Sequence, residues 1–109
     1  MTFGMQEAHV DNDGILHCPQ CRCNNLHQRN TTIFERPEDA RTTIVIAQNG
    51  DSVQATEFPS NDTCNPSERR QGLIIEFRCE SCHSGESDAI PLHRLAILQH
   101  KGYTYVEWL

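Results

Sequence analysis

Two Cys-x-x-Cys pairs, Cys18-Pro19-Gln20-Cys21 and Cys79-Glu80-Ser81-Cys82, constrain this 109-residue chain more than any other feature. Each pair sets two sulfurs on one tight turn, where they can take two corners of a tetrahedron around a metal ion at about 2.3 Å each. One pair fills half of a four-coordinate shell. The second pair, at the same spacing, completes it. Residues 22–78, 57 in all, separate the pairs. Closing a loop of that length costs about 3.6 kcal/mol by the logarithmic chain-entropy relation. Structural Zn²⁺ contributes roughly 10–16 kcal/mol in small peptides, so the metal outweighs the loop. The expectation is one Zn²⁺ per chain, held by Cys18, Cys21, Cys79 and Cys82 as thiolates.

Composition supports a metal-dependent fold. Hydrophobic content is 37% and aromatic content 6%, so the apolar core must be thin. A chain this short buries a smaller fraction of its surface than a large one and gains from a cross-link. No apolar run approaches the roughly 18 residues of a membrane span. The N-terminus lacks a basic segment followed by an apolar one, so a cytoplasmic location is expected. Thiols stay reduced there, which sets metal ahead of disulfides for the six cysteines. A thioredoxin-like redox pair would need a βαβ pattern, and none is present. Iron could occupy the same four thiolates in a rubredoxin-like way. Cys23 reads as a spectator thiol and Cys64, in a polar stretch, as free and exposed. His17 and His83 flank the pairs without being needed as ligands. His27, His93 and His100 fall in predicted strands, where ordinary surface or edge positions are expected; His9 belongs to the tail.

Along the chain, residues 1–13 are polar and predict a flexible N-terminal tail ahead of a single domain over 14–109. Leu26 to Glu35 favours a strand through Thr31, Thr32, Ile33 and Phe34. Thr42 to Ala47 and Ser52 to Thr56 flank Asn49-Gly50, the dipeptide preferred at the centre of a two-residue hairpin turn. Residues 59–71 carry two prolines and several turn formers, which predicts a surface loop. In Leu73 to Cys79, Leu73, Ile75, Phe77 and Cys79 share one strand face. The stretch 90–100 has features of a helix (Pro91 near its start, Gly102 beyond its end), but a strand is the preferred reading. Lys101-Gly102 leads it into Tyr103–Trp108, a strongly β-forming segment, as in a hairpin.

The order thiol knuckle, strand, insert, strand, thiol knuckle, β-hairpin resembles a zinc ribbon. The matching residues are the two cysteine pairs, with residues 37–71 as the insert. The ending Leu98 to Trp108 is also similar to those of small uncharacterised bacterial and phage zinc-ribbon proteins. The resemblance implies a mainly β fold: antiparallel strands, two Cys-x-x-Cys knuckles and an inserted β-hairpin. It also implies binding to protein or to nucleic acid, because zinc ribbons do both and the fold alone does not choose.

Four cysteines leave no open coordination position, which points to a structural rather than a catalytic ion. No Gly-rich phosphate loop or Gly-x-Ser-x-Gly signature is present, and enzymatic activity is not expected. Net charge is −6, and four thiolates with one Zn²⁺ would add about −2. That balance disfavours sequence-independent nucleic-acid binding, which depends on Lys and Arg neutralising phosphates. The expected function is therefore a protein-interaction module with edge strands open to a partner. The alternative is a nucleic-acid-binding ribbon that uses Arg22, Arg29 and Arg78 near the metal and stacks bases on Tyr103, Tyr105 and Trp108.

Overall fold

Runs of β-branched and aromatic residues pair into one antiparallel sheet of seven strands. The computed structural model describes residues 6–82 and 92–109. Strand β1 is Gln6–Glu7, β2 Leu26–Glu35, β3 Thr42–Asn49, β4 Ser52–Pro59, β5 Gly72–Cys79, β6 Leu92–His100 and β7 Tyr103–Trp108. Their spatial order is β1-β7-β6-β5-β2-β3-β4. Among the described residues the only helical element is a 3₁₀ turn at Ser60–Asp62. The ambiguous stretch is strand from Leu92 onward, while its residues 90 and 91 lie outside the described ones.

Both predicted hairpins form, but the first turns one residue later than its dipeptide suggested. Asn49 pairs with Ser52, so the central turn residues are Gly50 and Asp51. Of these only Gly50 has positive φ, at 60°, the pattern of a type II′ turn. In the β6–β7 hairpin His100 pairs with Tyr103. Both Lys101 (φ 50°) and Gly102 (φ 81°) are left-handed there, as a type I′ turn requires. The expected insert is continuous with the rest of the sheet, because β3 pairs with β2 through Ile46 opposite Ile33 and Val45 opposite Phe34.

The sequence also predicted a loose tail over residues 1–13. Residues 1–5 lie outside the described ones, but from Gln6 onward the segment is anchored. Gln6 pairs with Trp108 and Glu7 with Glu107. Asp11 Oδ1 accepts hydrogen bonds from the N–H groups of Asp13 and Ile15, which folds residues 11–15 into a tight turn. The polar residues read as solvated tail are turn formers that satisfy their own backbone.

The centre of the sheet is the β2–β5 pair. Its register runs Leu26 opposite Cys79 and Gln28 opposite Phe77, then resumes at Thr31 opposite Ile75. Two residues, Arg29 and Asn30, stand where β5 has only Glu76, which is a β-bulge in β2. Simple alternation would put Leu26 and Ile33 on opposite faces. The extra residue puts both on the face of Leu73, Ile75, Phe77 and Cys79. On the other face Phe34, Gly72 and Leu98 form one cross-strand row, with Leu98 1% exposed and Phe34 4%. The loop after β4 lies against this row. Its Ser67 hydroxyl donates to the Gln99 carbonyl, and Asn65 Nδ2 donates to the Arg70 carbonyl.

Glycine at position 72 is required by close approach, since a Cβ there would run into Asn65 Oδ1 and the ring of Pro66. Gly50 has open space around it and is required only for its dihedral. Gly72→Ala is therefore expected to destabilise by about 1–3 kcal/mol through overpacking, and Gly50→Ala by about 1 kcal/mol through left-handed strain. Urea unfolding midpoints check the ranking.

Glu107 introduces a cost into the sheet. Its Oε2 is buried without a hydrogen-bond partner among the described residues. Burial, then the charge of Glu7 opposite, raises its pKa above the usual carboxylate range. A raised carboxyl pKa means that the folded state holds the proton more tightly, so the ionised form destabilises the fold above that pKa. Glu107→Gln is expected to raise the urea midpoint at pH 7.5, with the gain shrinking as pH falls toward the carboxyl's titration. An unchanged midpoint at pH 7.5 would rule out this cost.

Candidate metal centre

The turn after β5 and the turn before β2 lie at the same end of the sheet, because the two strands are antiparallel and Leu26 stands opposite Cys79. The N–H of Glu80 donates to the carbonyl of Asn25 and ties the second knuckle to the chain leaving the first. The Sγ atoms of Cys18, Cys21, Cys79 and Cys82 all lie within 4.8 Å of one another. Cys18 and Cys82 approach to 3.4 Å, as do Cys21 and Cys79. A tetrahedron with metal–sulfur bonds of about 2.3 Å has edges of about 3.8 Å, so the four sulfurs fit one four-coordinate ion. Cys79 is 0% exposed, Cys18 1% and Cys82 3%, and Cys21 is half-buried. Leu26 packs against the cluster.

The first knuckle is closed by its own backbone. The Cys18 N–H donates to the Cys23 carbonyl, and the Arg22 N–H donates to the Cys18 carbonyl. Arg22 adopts a left-handed φ of 69° to complete the curl. The Gln20 N–H points at Cys18 Sγ, 3.4 Å away. Burial opposes ionisation of Cys18, but the N–H groups of Cys21 and Gln20 and the neighbouring thiols outweigh it and draw its pKa down to about 7. Burial and contact with the other thiols push Cys82 well above the ordinary thiol value. A metal must therefore displace a proton from Cys82, and affinity falls as pH drops.

Two histidines adjoin this centre: His93, and His17, which the sequence already set beside the first pair. His93, expected at an ordinary strand position, places Nε2 3.7 Å from Cys82 Sγ. Burial lowers its pKa, so the ring is neutral at pH 7 and has a single N–H; against a Cys82 thiolate, which can only accept, that N–H must sit on Nε2. Trp108 packs edge-on to His93 and to Phe77, with centroids 6.3 and 5.9 Å away. His17 braces the first knuckle: Nδ1 lies 2.7 Å from the Arg22 carbonyl and Nε2 2.7 Å from Asp11 Oδ2. Both partners are acceptors, so the ring donates from both nitrogens as an imidazolium. The Arg22 carbonyl and then Asp11 raise its pKa accordingly.

Alternation along β6 held the missing signal for His93, since it shares the parity of Leu95 and Ile97. The role of His17 depends on a turn that spacing does not reveal. His27 is exposed and pairs with Glu80 at 2.7 Å. His83 lies outside the described residues. Cys23 supplies only its carbonyl to the knuckle, and Cys64 is exposed. The sheet brings Arg29 and Arg78 together in a shallow hollow with His27 and Glu80, without Arg22. Comparisons with protein-family models, with curated proteins and with solved structures found no match for this chain.

Cys79→Ser is expected to abolish stoichiometric metal binding, whereas Cys23→Ser and Cys64→Ser keep it. His93→Phe, which removes the N–H beside Cys82, should weaken metal affinity about 10–100-fold. Chelator competition on the purified variants checks all four.

Proposed function

We propose that the four thiolates hold one structural Zn²⁺ and that the chain, in a fold resembling a zinc ribbon, serves as a protein-interaction module. The clustering of four sulfurs, three of them buried, within 4.8 Å carries this reading. Soft thiolate ligands in a tetrahedral arrangement suit Zn²⁺ or iron. Zn²⁺ is the redox-inert choice for a purely structural cross-link. Zn²⁺ so bound would supply cross-linking energy and no chemistry, because four protein ligands leave no place for water or substrate. The residues around it, His17, His93 and Leu26, orient the knuckles and exclude water.

The surface favours protein over nucleic acid. Trp108 is 3% exposed, which removes the largest of the three proposed stacking platforms. Arg69 and Arg70 are engaged by Glu38, and Arg69 also by Asp39. Arg36 donates to the carbonyls of Ala40 and Glu68. The hollow holding Arg29 and Arg78 contains Glu80. In contrast, β4 is an exposed edge strand of eight residues with one charge, Glu57, and edges of this kind accept partner strands.

Native mass spectrometry of protein purified without added metal should find one zinc per chain. Fluorescence anisotropy with labelled single-stranded DNA or RNA should detect no binding at low salt. One iron per chain would replace the zinc assignment. Nucleic-acid affinity that falls steeply with salt would transfer the function to the alternative ribbon class.

A further inference from the structure

Five strand registers line up one apolar row across six strands: Ala55, Ile46, Ile33, Leu73, Ile97 and Val106. The neighbouring row toward the metal contains Val53, Gln48, Thr31 and Ile75 before ending at Leu95 and the buried Trp108. Neither row holds a Lys, Arg, Asp or Glu. On the far side Ile44 sits between Glu57 and Glu35, and Gln99 pairs with Thr104, which makes a polar rim. Val106 is 41% exposed, Ile44 42% and Val53 67%. Ile33, Leu73 and Ile97 are half-buried and line a shallow hollow with Gln71 and Gln99. The opposite face has its loop over Phe34, Gly72 and Leu98, so the two faces of this sheet are not equivalent.

We infer that this apolar face docks against the same face of a second copy of the chain, forming a two-sheet sandwich. The inference rests on the protein-interaction reading and names its partner. Domains bury sheet faces in pairs of layers, and flat rows of Ile, Val and Leu interdigitate well with another such sheet about 10 Å away. Electrostatics allows self-association at this face in particular. A chain of net charge −6 repels its copy wherever carboxylates meet, and the two rows contain none. They also lack the cations a phosphate backbone would require. A two-fold axis running along the row, across the strands, sets Glu35 and Glu57 of one copy over the Thr31 side of the other. An axis along the strands would stack the acidic rims on each other. Six strands at about 4.8 Å, taken over the two apolar rows and the polar rim with Glu35 and Glu57, give a footprint of roughly 600 Å² per copy. About 1,200 Å² in total is the lower edge of specific interfaces, so a reversible, concentration-dependent dimer is expected.

Sedimentation equilibrium of the metal-loaded chain, with reductant present to exclude Cys64 cross-links, tests this. The apparent mass should rise from 12.4 kDa toward twice that value over micromolar concentrations. Val106→Glu, which places a carboxylate in the central row at an already exposed site, should raise the dissociation constant at least tenfold. Phe58→Glu, in β4 and equally exposed at 40% but on the other face of the sheet, should leave it unchanged. Metal content of each variant confirms that it folds. A wild type that stays at monomer mass up to millimolar concentration overturns the dimer, as does a dimer indifferent to Val106→Glu. Co-sedimentation of a monomer with phosphatidylcholine vesicles would overturn it in favour of a lipid surface. None of these outcomes alters the zinc content or the nucleic-acid result, so the interaction reading stands or falls separately.

Discussion

The pairing of β2 with β5 is the interaction on which the rest of the structure depends. One knuckle precedes β2 and the other ends β5, so only an antiparallel register that sets Leu26 opposite Cys79 brings all four sulfurs to one point. Outward from this pair lie two local hairpins, β3–β4 on one side and β6–β7 on the other, and β1 joins the sheet at the far edge of β7. This link closes the 57-residue stretch between the cysteine pairs, and it is the one the thiolate cluster reinforces. A metal at this position would offset that closure cost.

The core is correspondingly small and uneven. Close packing is concentrated at the knuckle end, around Cys18, Cys79 and Cys82, and in the row of Phe34 and Leu98 beneath the loop after β4. The next row on that face extends this packing, with Ile74 6% exposed and Ala96 0%. Thr43, fully buried, bonds to the Ser60 hydroxyl at 2.8 Å, so part of the interior is stabilised by polar contacts instead of apolar bulk. A chain with 37% hydrophobic residues spread over seven strands has little else to use. The buried Glu107 oxygen is the one place among the described residues where a buried side-chain polar atom lacks a partner, and an exposed two-residue β1 opposite it, with a like charge, limits how firmly that edge is held.

Charge is distributed in a way that suits the cluster. The imidazolium of His17 stands beside the first knuckle, and His93 offers a neutral N–H to Cys82. Asp11 matches the charge of His17, so that ring fixes the curl of the first turn, while His93 lies 3.7 Å from the Cys82 sulfur. The arginines at the opposite end are engaged with Glu38, Asp39 and backbone carbonyls. They lock the β2–β3 turn to the loop after β4, through the Arg69–Asp39 pair and the bond from the Asp39 N–H to the Arg69 carbonyl.

What the sequence determined by itself was local. Matched Cys-x-x-Cys spacing, β-branched runs and Gly-containing turns depend on residues a few positions apart, so the four cysteines that cluster and most strands were legible from their order. Residues 6–13 were misread because turn-forming Asp and Gly look like solvated tail until their hydrogen bonds are placed. Only the tertiary structure decided which strand faces meet. The single extra residue at Arg29–Asn30 inverts the alternation of β2, sets Leu26 and Ile33 on one side, and so assembles both the packing beneath the knuckles and the open apolar row. His93 reached Cys82 through the register of β6 on β5, which sets it opposite Phe77 on the face of Cys79. Register is a property of two strands whose paired residues run from Leu26 with Cys79 to Phe34 with Gly72, far apart in the chain, and a one-residue shift in either exchanges every face, so no pattern within one segment could have fixed it.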